Sequence, residues 1–229
     1  MDKLLKYSIC DISDALVKYG VKDGGFLPNL TMQSSVNSTV IGKAYTVLYA
    51  PKSDPRPEVS ASYIDQLPAN SVLIMGLPPS LQMVNAPYTK VNNALYGGLM
   101  STRASYLKCR GSIILGRVRD LDEHNALEYP VWSYAVGSSA PGPVLKVVGI
   151  NVPIEVKVHS IDNEYDIKVV EPNDILMGDN SGIVIIKESL LADVVGYVPK
   201  RVEADQNVAN DIKNGRPAKE AQKYWRSKI

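Results

Sequence analysis

The chain has 229 residues, of which 45% are hydrophobic, so it has enough apolar material to bury one sizeable core. Its 25 lysine and arginine residues nearly balance its 24 aspartate and glutamate residues, and this balance favours neither nucleic acid nor an anionic membrane as a partner. No apolar run reaches the roughly eighteen residues that span a bilayer, and the charged start is not typical of a signal peptide. We therefore expect a single domain over residues 1–229, cytoplasmic and specific for a small molecule.

The first part of the chain alternates helix and strand patterns. Asp11–Gly20 has capping residues, helical apolar spacing and a final glycine, which predict an amphipathic helix. Thr39–Tyr49 is rich in β-branched and aromatic residues and predicts a strand, followed by a polar loop to Glu58. A short helix is expected around Ala61–Gln66. The apolar run Ser71–Leu77 then predicts a buried strand.

The middle of the chain combines a proline-rich loop with a second helix and strand. The loop Pro78–Lys90 is a candidate wall or lid over a site. A helix is expected from about Leu99 to Cys109, and Gly111 is expected to end it. The apolar run Ser112–Val118 predicts a buried strand.

The residues on either side of this helix and strand indicate a ligand site. Gly97 and Gly98 allow backbone N–H groups to approach an anion at the positive end of the following helix. Arg119 and Asp120 follow the strand, at the end where open α/β sheets bind their ligands. The sequence therefore predicts an anion and metal site, although an Arg-Asp pair or a Gly-Gly turn alone is often a surface feature.

The second half predicts further strands and then helices. Pro130–Gly137 resembles a strand and is followed by a small-residue loop to Gly142. Short β-rich runs with turns between them predict a second, more antiparallel sheet. These runs are Val152–Val158, Tyr165–Val170 and Gly182–Lys187. The tail from about residue 188 predicts one or two helices, with Pro199 interrupting the pattern.

Several single residues leave alternatives open. Cys10 and Cys109 are expected to be reduced and packed, because two cysteines are too few for a disulfide scaffold. His124 is interpreted as a solvated side chain rather than a proton shuttle. Asp179 is interpreted as a hairpin-turn residue rather than a group that reaches a metal. Arg103 faces either the ligand or a neighbouring subunit.

Separated motifs resemble one family in the same order from about Ile9 to about Gly215. They are YGGLMSTRA at 96–104, GRVRD at 116–120, Pro172-Asn173-Asp174 and GDNSG at 178–182. These motifs are similar to those of the 4-hydroxy-4-methyl-2-oxoglutarate aldolases and the regulator-of-ribonuclease-E-activity-A (RraA)-like proteins. The closest likeness is to a fungal branch that shares the Asp122-Glu123-His124 continuation.

The resemblance implies a fold, an assembly and a set of site residues. The fold would be the α/β type with three layers, the β/β/α swivelling fold of phosphohistidine domains, with C-terminal helices, assembled as a homotrimer or hexamer with sites between subunits. By matching position, substrate would bind at the turn Gly97, Gly98, Leu99 and Met100 and at Arg119, and Asp120 would hold the metal. Arg119 and Asp120 would be the catalytic residues.

One position departs from the family pattern. The aldolases commonly have an aspartate placed so that twenty residues separate it from the arginine, and this chain has Gly98 at that position. The missing carboxylate puts efficient aldol cleavage in doubt, whereas metal binding through Asp120 stays an expectation.

The predicted chemistry is formation of pyruvate from a small 2-oxo dicarboxylic acid through an enolate stabilised by Mg²⁺ or Mn²⁺. Oxaloacetate decarboxylation needs no protein base, whereas cleavage of 4-hydroxy-4-methyl-2-oxoglutarate does. Candidate bases are water on the metal or a carboxylate from a neighbouring subunit, such as Glu203 or Asp205. We therefore expect a class II lyase with no nucleic-acid or membrane partner; the alternatives are a non-catalytic regulator of ribonuclease machinery and a metabolite sensor.

Overall fold

The computed structural model describes residues 1–36 and 38–229 as a mixed α/β fold with a central mixed sheet. The helices are α1 (Ile9–Lys18), α2 (Gly98–Tyr106), α3 (Leu121–Ala126), α4 (Leu191–Lys213) and α5 (Ala218–Arg226). The first strands are β1 (Phe26–Leu27), β2 (Thr31–Met32), β3 (Val40–Pro51), β4 (Ser71–Gly76), β5 (Ala94–Tyr96) and β6 (Gly111–Val118). The others are β7 (Val131–Val136), β8 (Leu145–Ile150), β9 (Ile154–Val158), β10 (Asp166–Val170), β11 (Ile175–Asp179) and β12 (Gly182–Ile186).

The central sheet of the described chain has ten strands in the order β1-β12-β11-β3-β4-β6-β7-β2, with β5 paired to β6 and β8 paired to β3. Strands β3, β4, β6 and β7 run parallel, and β5 is parallel to β6. Tyr96 at the end of β5 pairs with Val118 at the end of β6. The two chain segments that leave these strands therefore start side by side.

Alternating side chains of the parallel strands fill two layers of the core. On one face, Met75 and Ile114 pack with Ala104 of α2. On the other face, Ile74 and Ile113 pack under Ile154 of β9. This alternation follows from the two-residue period of a strand, and it buries both faces of the sheet. A third apolar group joins α1 and α4 to β11 and β12.

Most of the predicted elements are confirmed, with shifted boundaries. The first helix begins at Ile9 because Ser8 caps it: the Ser8 hydroxyl accepts from Asp11 N–H and the Asp11 carboxylate accepts from Ser8 N–H. The expected helix around Ala61–Gln66 is only a 3₁₀ turn at Tyr63–Gln66. Leu121–Ala126 forms α3, for which the sequence predicts no element.

Two predicted helix breaks are wrong. Helix α2 stops at Tyr106, and Lys108, two residues later, adopts a left-handed φ of 61°. Gly111 does not end the helix but begins β6. Pro199 lies inside the continuous helix α4. Val194 and Val208, before and after this proline, are both buried, so packing on both sides holds the helix together despite the lost backbone hydrogen bond.

The expected second sheet is also only partly correct. Strands β9 and β10 do form a separate antiparallel pair, but β11 and β12 extend the central sheet. Cys109 is buried as expected, whereas Cys10 is exposed because it lies on the side of α1 away from buried Ile9 and Ile12. Among the described residues, no helix has both the length and the apolar character needed to cross a membrane.

Candidate functional site

The candidate site lies where β5 and β6 end. The Arg119 N–H donates to the Tyr96 carbonyl at 3.0 Å, so the residue after β6 is held beside the last residue of β5. Gly97 and Gly98 therefore lie next to Arg119 and Asp120. The structure brings together the four residues that the sequence singled out, and the reason is the parallel pairing of two strands that are apart in sequence.

Asp120 links the two segments directly. Its Oδ2 accepts a hydrogen bond from Gly98 N–H at 3.1 Å and lies 3.5 Å from Arg119 Nε. Its backbone is left-handed, with φ 62° and ψ 48°, which turns the chain sharply out of β6 into α3. A Cβ on Gly97 would lie 2.6 Å from the same Oδ2, so only glycine permits this approach.

The backbone amides at the start of α2 are partly engaged within the chain. Gly98 N–H bonds to Asp120, and Met100 N–H donates to the Gly97 carbonyl at 3.0 Å. Leu99 is 73% exposed at this helix start. The positive end of this helix is thus directed mainly at the Asp120 carboxylate, through the Gly98 amide.

A second carboxylate, which the sequence interpretation missed, belongs to Glu123. Its Oε2 occupies the position that a side chain on Gly98 would fill, and its own Cβ lies 2.7 Å from the place of a Cβ there. Glu123 lies in the first turn of α3, three residues after Asp120, which is the N-cap of that helix. Both carboxylates lie beside the turn at Gly97 and Gly98. That spacing, together with a glycine in place of the expected aspartate, was the available signal.

A cavity of about 240 Å³ opens beside these groups. It is lined by Tyr49, Tyr63, Ala94, Leu95, Tyr96, Gly97, Leu99, Met100, Arg119, Asp120, Ala140 and Pro141. Arg119 is the single basic side chain among these described lining residues, and it is 38% exposed. The cavity is therefore mainly apolar, with one cation and one carboxylate at its charged end.

The expected lid Pro78–Lys90 is wrong for this chain, because none of its residues lines the cavity. Gln82 ties that loop to β9 by donating to the carbonyls of Leu77 and Glu155, both at 2.6 Å. The small-residue loop supplies the wall instead. Asn93 Nδ2 donates to the Ala140 carbonyl at 2.7 Å and fixes that loop over the cavity.

His124 is buried, contrary to the prediction of a solvated side chain. It is 0% exposed, and its Nδ1 lies 2.9 Å from Ser101 Oγ on α2. The prediction failed because residues 121–126 form a helix, and a helix presents one of its faces to the core.

Three other candidates have structural partners. Arg103 Nε donates to Asp65 Oδ1 at 2.7 Å, and Arg103 is not among the residues that line the cavity. Asp179 is a turn residue as interpreted: it accepts from Ser181 N–H at 2.7 Å and also from Ile9 N–H at 3.0 Å. Asp205 accepts from two arginines, whereas Glu203 is exposed.

A larger cavity of about 570 Å³ lies where β3 and β4 begin, whereas the candidate site lies where β5 and β6 end. Its wall includes Lys43, Asn70 and Asn173, but Lys43 is paired with Glu188 and the Asn70 side chain faces Arg110. It shares no lining residue with the candidate site. The polar side chains of the larger cavity are thus engaged with other side chains, whereas Arg119 and Asp120 line the smaller cavity. We therefore take the smaller cavity as the candidate site.

These features define a mixed α/β protein with a candidate site, formed by an arginine and two carboxylates, at the ends of parallel strands. The chain belongs to the RraA-like family, described as Aldolase/RraA, whose model matches residues 9–185. It is 22% identical to protein DlpA of Legionella pneumophila over 227 residues, which cover 98% of this chain and 33% of DlpA. It is also 32% identical to an uncharacterized protein of Methanocaldococcus jannaschii over 126 residues, covering 55% of this chain and 56% of that protein. The chain thus spans about a third of the length of DlpA and just over half of the length of the Methanocaldococcus jannaschii protein.

Solved structures share the fold. An uncharacterized protein from Pseudomonas syringae pv. tomato has a TM-score of 0.76 and 24% identity, with 96% of this chain and 95% of that chain covered. Streptomyces coelicolor RraAS2, described as an unusual member of the RNase ES inhibitor RraA protein family, has a TM-score of 0.68 and 16% identity, with coverages of 94% and 95%.

Proposed function

We propose that this chain is a divalent-metal-dependent carbon–carbon lyase that forms pyruvate from small 2-oxo acids, with oxaloacetate decarboxylation as its principal reaction. The observation that carries the proposal is the convergence of the Asp120 and Glu123 carboxylates on Gly98. Asp120 also lines a cavity together with Arg119. Cleavage of 4-hydroxy-4-methyl-2-oxoglutarate is the second activity that we propose for the same site.

The residues present fit Mg²⁺ or Mn²⁺. Within residues 1–36 and 38–229, no group of three or more histidine, cysteine or acidic side chains could hold a metal. Mg²⁺ does not need such a cage, because it is usually held by one or two carboxylates and keeps several waters. Asp120 and Glu123 would supply those two hard oxygen donors. A bound cation would also offset the repulsion of two neighbouring negative charges.

Each group in the site has a role in decarboxylation. When bound, a divalent cation supplies positive charge opposite the oxygen that becomes negative. Arg119 binds and orients a carboxylate or the keto oxygen of the substrate by charge-assisted hydrogen bonds. The bond from C3 to the C4 carboxylate then breaks, carbon dioxide leaves, and the electron pair moves to the C2 oxygen. A proton at C3 completes pyruvate.

The aromatic wall excludes water rather than moving protons. Tyr49 and Tyr63 meet edge to face, with ring centroids 6.2 Å apart. Burial raises the pKa of Tyr49, and it raises the pKa of Tyr63 well above its ordinary value. Both phenols therefore stay protonated near neutral pH. A dry, apolar wall strengthens the electrostatic contacts at the charged end of the cavity.

A non-catalytic regulator of ribonuclease machinery is the second candidate, favoured by the fold similarity to a protein of the RNase ES inhibitor family. The glycine at position 98 was its main support in the sequence. Because the Glu123 carboxylate occupies the space beside that glycine, the substitution does not remove an acidic group from the site. This observation favours the lyase over the regulator.

We also propose a homotrimer or hexamer with the three-layer swivelling fold of the aldolase family. Leu99 and Tyr106 on α2 are 73% and 75% exposed, and they lie on a helix beside the candidate site. Large exposed apolar side chains next to a site support contact with another copy of the chain. Light scattering measures the assembly, and a monomer over the working concentration range would contradict it.

The test of the activity is pyruvate release from oxaloacetate with Mg²⁺ or Mn²⁺, corrected for the rate with metal alone. Wild type, Asp120→Asn and Arg119→Ala are compared with the control Asp122→Asn. This control removes an exposed charge from α3, the helix that follows Asp120. We expect the first two variants to lose at least about tenfold in rate, a typical cost of losing a ligand or an oriented charge, and the control to keep it. Equal corrected rates in all four proteins would exclude the lyase, and binding of a ribonuclease would then be measured instead.

A further inference from the structure

A buried polar group lies directly behind the candidate site. His124 and Ser101 are both 0% exposed, and Tyr96 is 2% exposed. The imidazole Nδ1 is 2.9 Å from the Ser101 hydroxyl. Ser101 belongs to the first turn of α2 and His124 to α3, so this hydrogen bond joins the two helices that carry the site residues.

The same imidazole contacts the strand end. Its ring stacks on Tyr96, with centroids 6.0 Å apart and an interplanar angle of 27°. Tyr96 immediately precedes Gly97, and its carbonyl accepts the Arg119 N–H. One side chain therefore contacts the residue before the glycine turn and the helix after it, while its own helix carries Glu123.

Packing alone does not favour a histidine at this position. Its Nε2 is buried without a hydrogen-bond partner in the part of the chain that the structure describes. A half-satisfied polar ring is less stable in a core than an apolar ring of the same size. A role beyond stability accounts for it better.

We infer that His124 is a positioning residue: through Ser101 and Tyr96 it fixes α3 against the start of α2, so that Glu123 and Asp120 both face Gly98. This inference rests on the proposed function, because its consequence is the placement of the two carboxylates that would hold the metal. Residues that orient ligands in this way commonly affect metal affinity or activity by tenfold to a hundredfold, roughly.

Two substitutions separate positioning from packing. His124→Phe keeps the ring and its stacking on Tyr96 but loses the bond to Ser101. His124→Asn keeps a polar atom near the place of Nδ1 but leaves an unfilled volume. If His124 only fills space, activity follows stability, and the phenylalanine variant is the better enzyme. If it positions the helices, the order is reversed: the asparagine variant is less stable but more active.

The experiment combines Mn²⁺ titration of decarboxylation, thermal unfolding, and hydrogen exchange at the Gly98 amide. For His124→Phe we expect roughly tenfold or more weaker apparent Mn²⁺ affinity, faster Gly98 exchange and an unfolding midpoint no lower than wild type. Ser101→Ala is expected to match it, and the double variant to add little. Unchanged Mn²⁺ dependence and Gly98 exchange in an active His124→Phe protein would overturn the inference.

The outcomes also distinguish this inference from the proposed function. If wild type neither turns over oxaloacetate nor binds Mn²⁺, the lyase proposal fails. Gly98 exchange still tests the positioning role in that case, because the amide donates to Asp120 without any ligand. Faster exchange in His124→Phe would support positioning of the turn, and wild-type exchange would exclude it.

Discussion

The Glu123 carboxylate lies in the space beside Gly98 that a side chain at position 98 would occupy. The two residues are 25 positions apart and belong to different helices, yet each constrains the other: Glu123 requires a glycine at 98, and the absence of a side chain at 98 admits Glu123. A carboxylate from α3 therefore occupies the place where the sequence interpretation counted an acidic group as missing.

We predict that Gly98→Ala will weaken metal-dependent activity by displacing Glu123. The new methyl group would lie 2.7 Å from the Glu123 Cβ, which is closer than two non-bonded carbon atoms can approach. Helix α3 or the Glu123 side chain must therefore move. Decarboxylation should fall by at least about tenfold, as for a displaced ligand. Mn²⁺ titration of activity measures the effect.

Gly196→Ala is the control for that substitution. Nothing lies within 4 Å of a Cβ on Gly196, which is inside α4 and remote from the site. Alanine should stabilise the helix by about 0.5–1 kcal/mol and leave activity unchanged. Equal activity of Gly98→Ala and Gly196→Ala would show that the Glu123 placement has no functional consequence.

We predict that the carboxylate can be moved from α3 to α2. Glu123→Gly should lose activity, and adding Gly98→Asp to it should restore a measurable part, because the aspartate enters the space that Glu123 vacates. Gly98→Asp alone should be inactive or poorly folded, since two carboxylates would then compete for one place. Steady-state rates of the three proteins measure this. A double variant no better than Glu123→Gly would contradict the exchange.

We predict that Asp120→Asn and Asp120→Ala will differ in stability but not in loss of metal response. Asparagine tolerates the left-handed backbone at φ 62° and still accepts from Gly98 N–H. Alanine loses both features, which should cost about 1–2 kcal/mol more in free energy of unfolding. Urea denaturation and Mn²⁺ titration separate the two effects. Metal-dependent turnover in Asp120→Asn would refute the ligand role.

We predict that Asp205 stabilises the contact between α4 and α5 in a pH-dependent way. It accepts from Arg201 Nε and Arg226 Nε, both at 2.8 Å. Burial raises the pKa of Asp205, but these hydrogen bonds outweigh burial and lower the pKa below its ordinary value of 3.8. Its contribution is therefore complete above about pH 4 and is lost as the pH falls through the lowered pKa.

Asp205→Asn should accordingly reduce the free energy of unfolding at pH 7 by about 1 kcal/mol, a modest value because the carboxylate is 34% exposed. The difference from wild type should shrink as the pH falls below about 4. Thermal unfolding across that range is the measurement. A difference that grows on acidification would have the wrong sign and would rule out this role.

The sequence by itself predicted the elements that depend on local pattern. Strand β3, strand β4 and strand β6 follow from runs of apolar and β-branched residues, and helix α1 follows from its caps and spacing. The juxtaposition of Gly97 and Asp120 was also predicted, from the glycine turn at a helix start and the Arg-Asp pair at a strand end. Strand β5, whose parallel pairing with β6 produces it, was not predicted. Local propensity and strand alternation act over a few residues, so they are visible in the chain itself.

Only the tertiary structure decided the features that depend on contacts between distant segments. Pro199 stays helical because of packing on both sides, and His124 is buried because α3 lies against α2. The cavity wall comes from Ala140 and Pro141 rather than the proline-rich loop. Above all, the position of Glu123 beside Gly98 depends on the angle between two helices. No local pattern encodes such an angle, because it is set by the packing of the whole core.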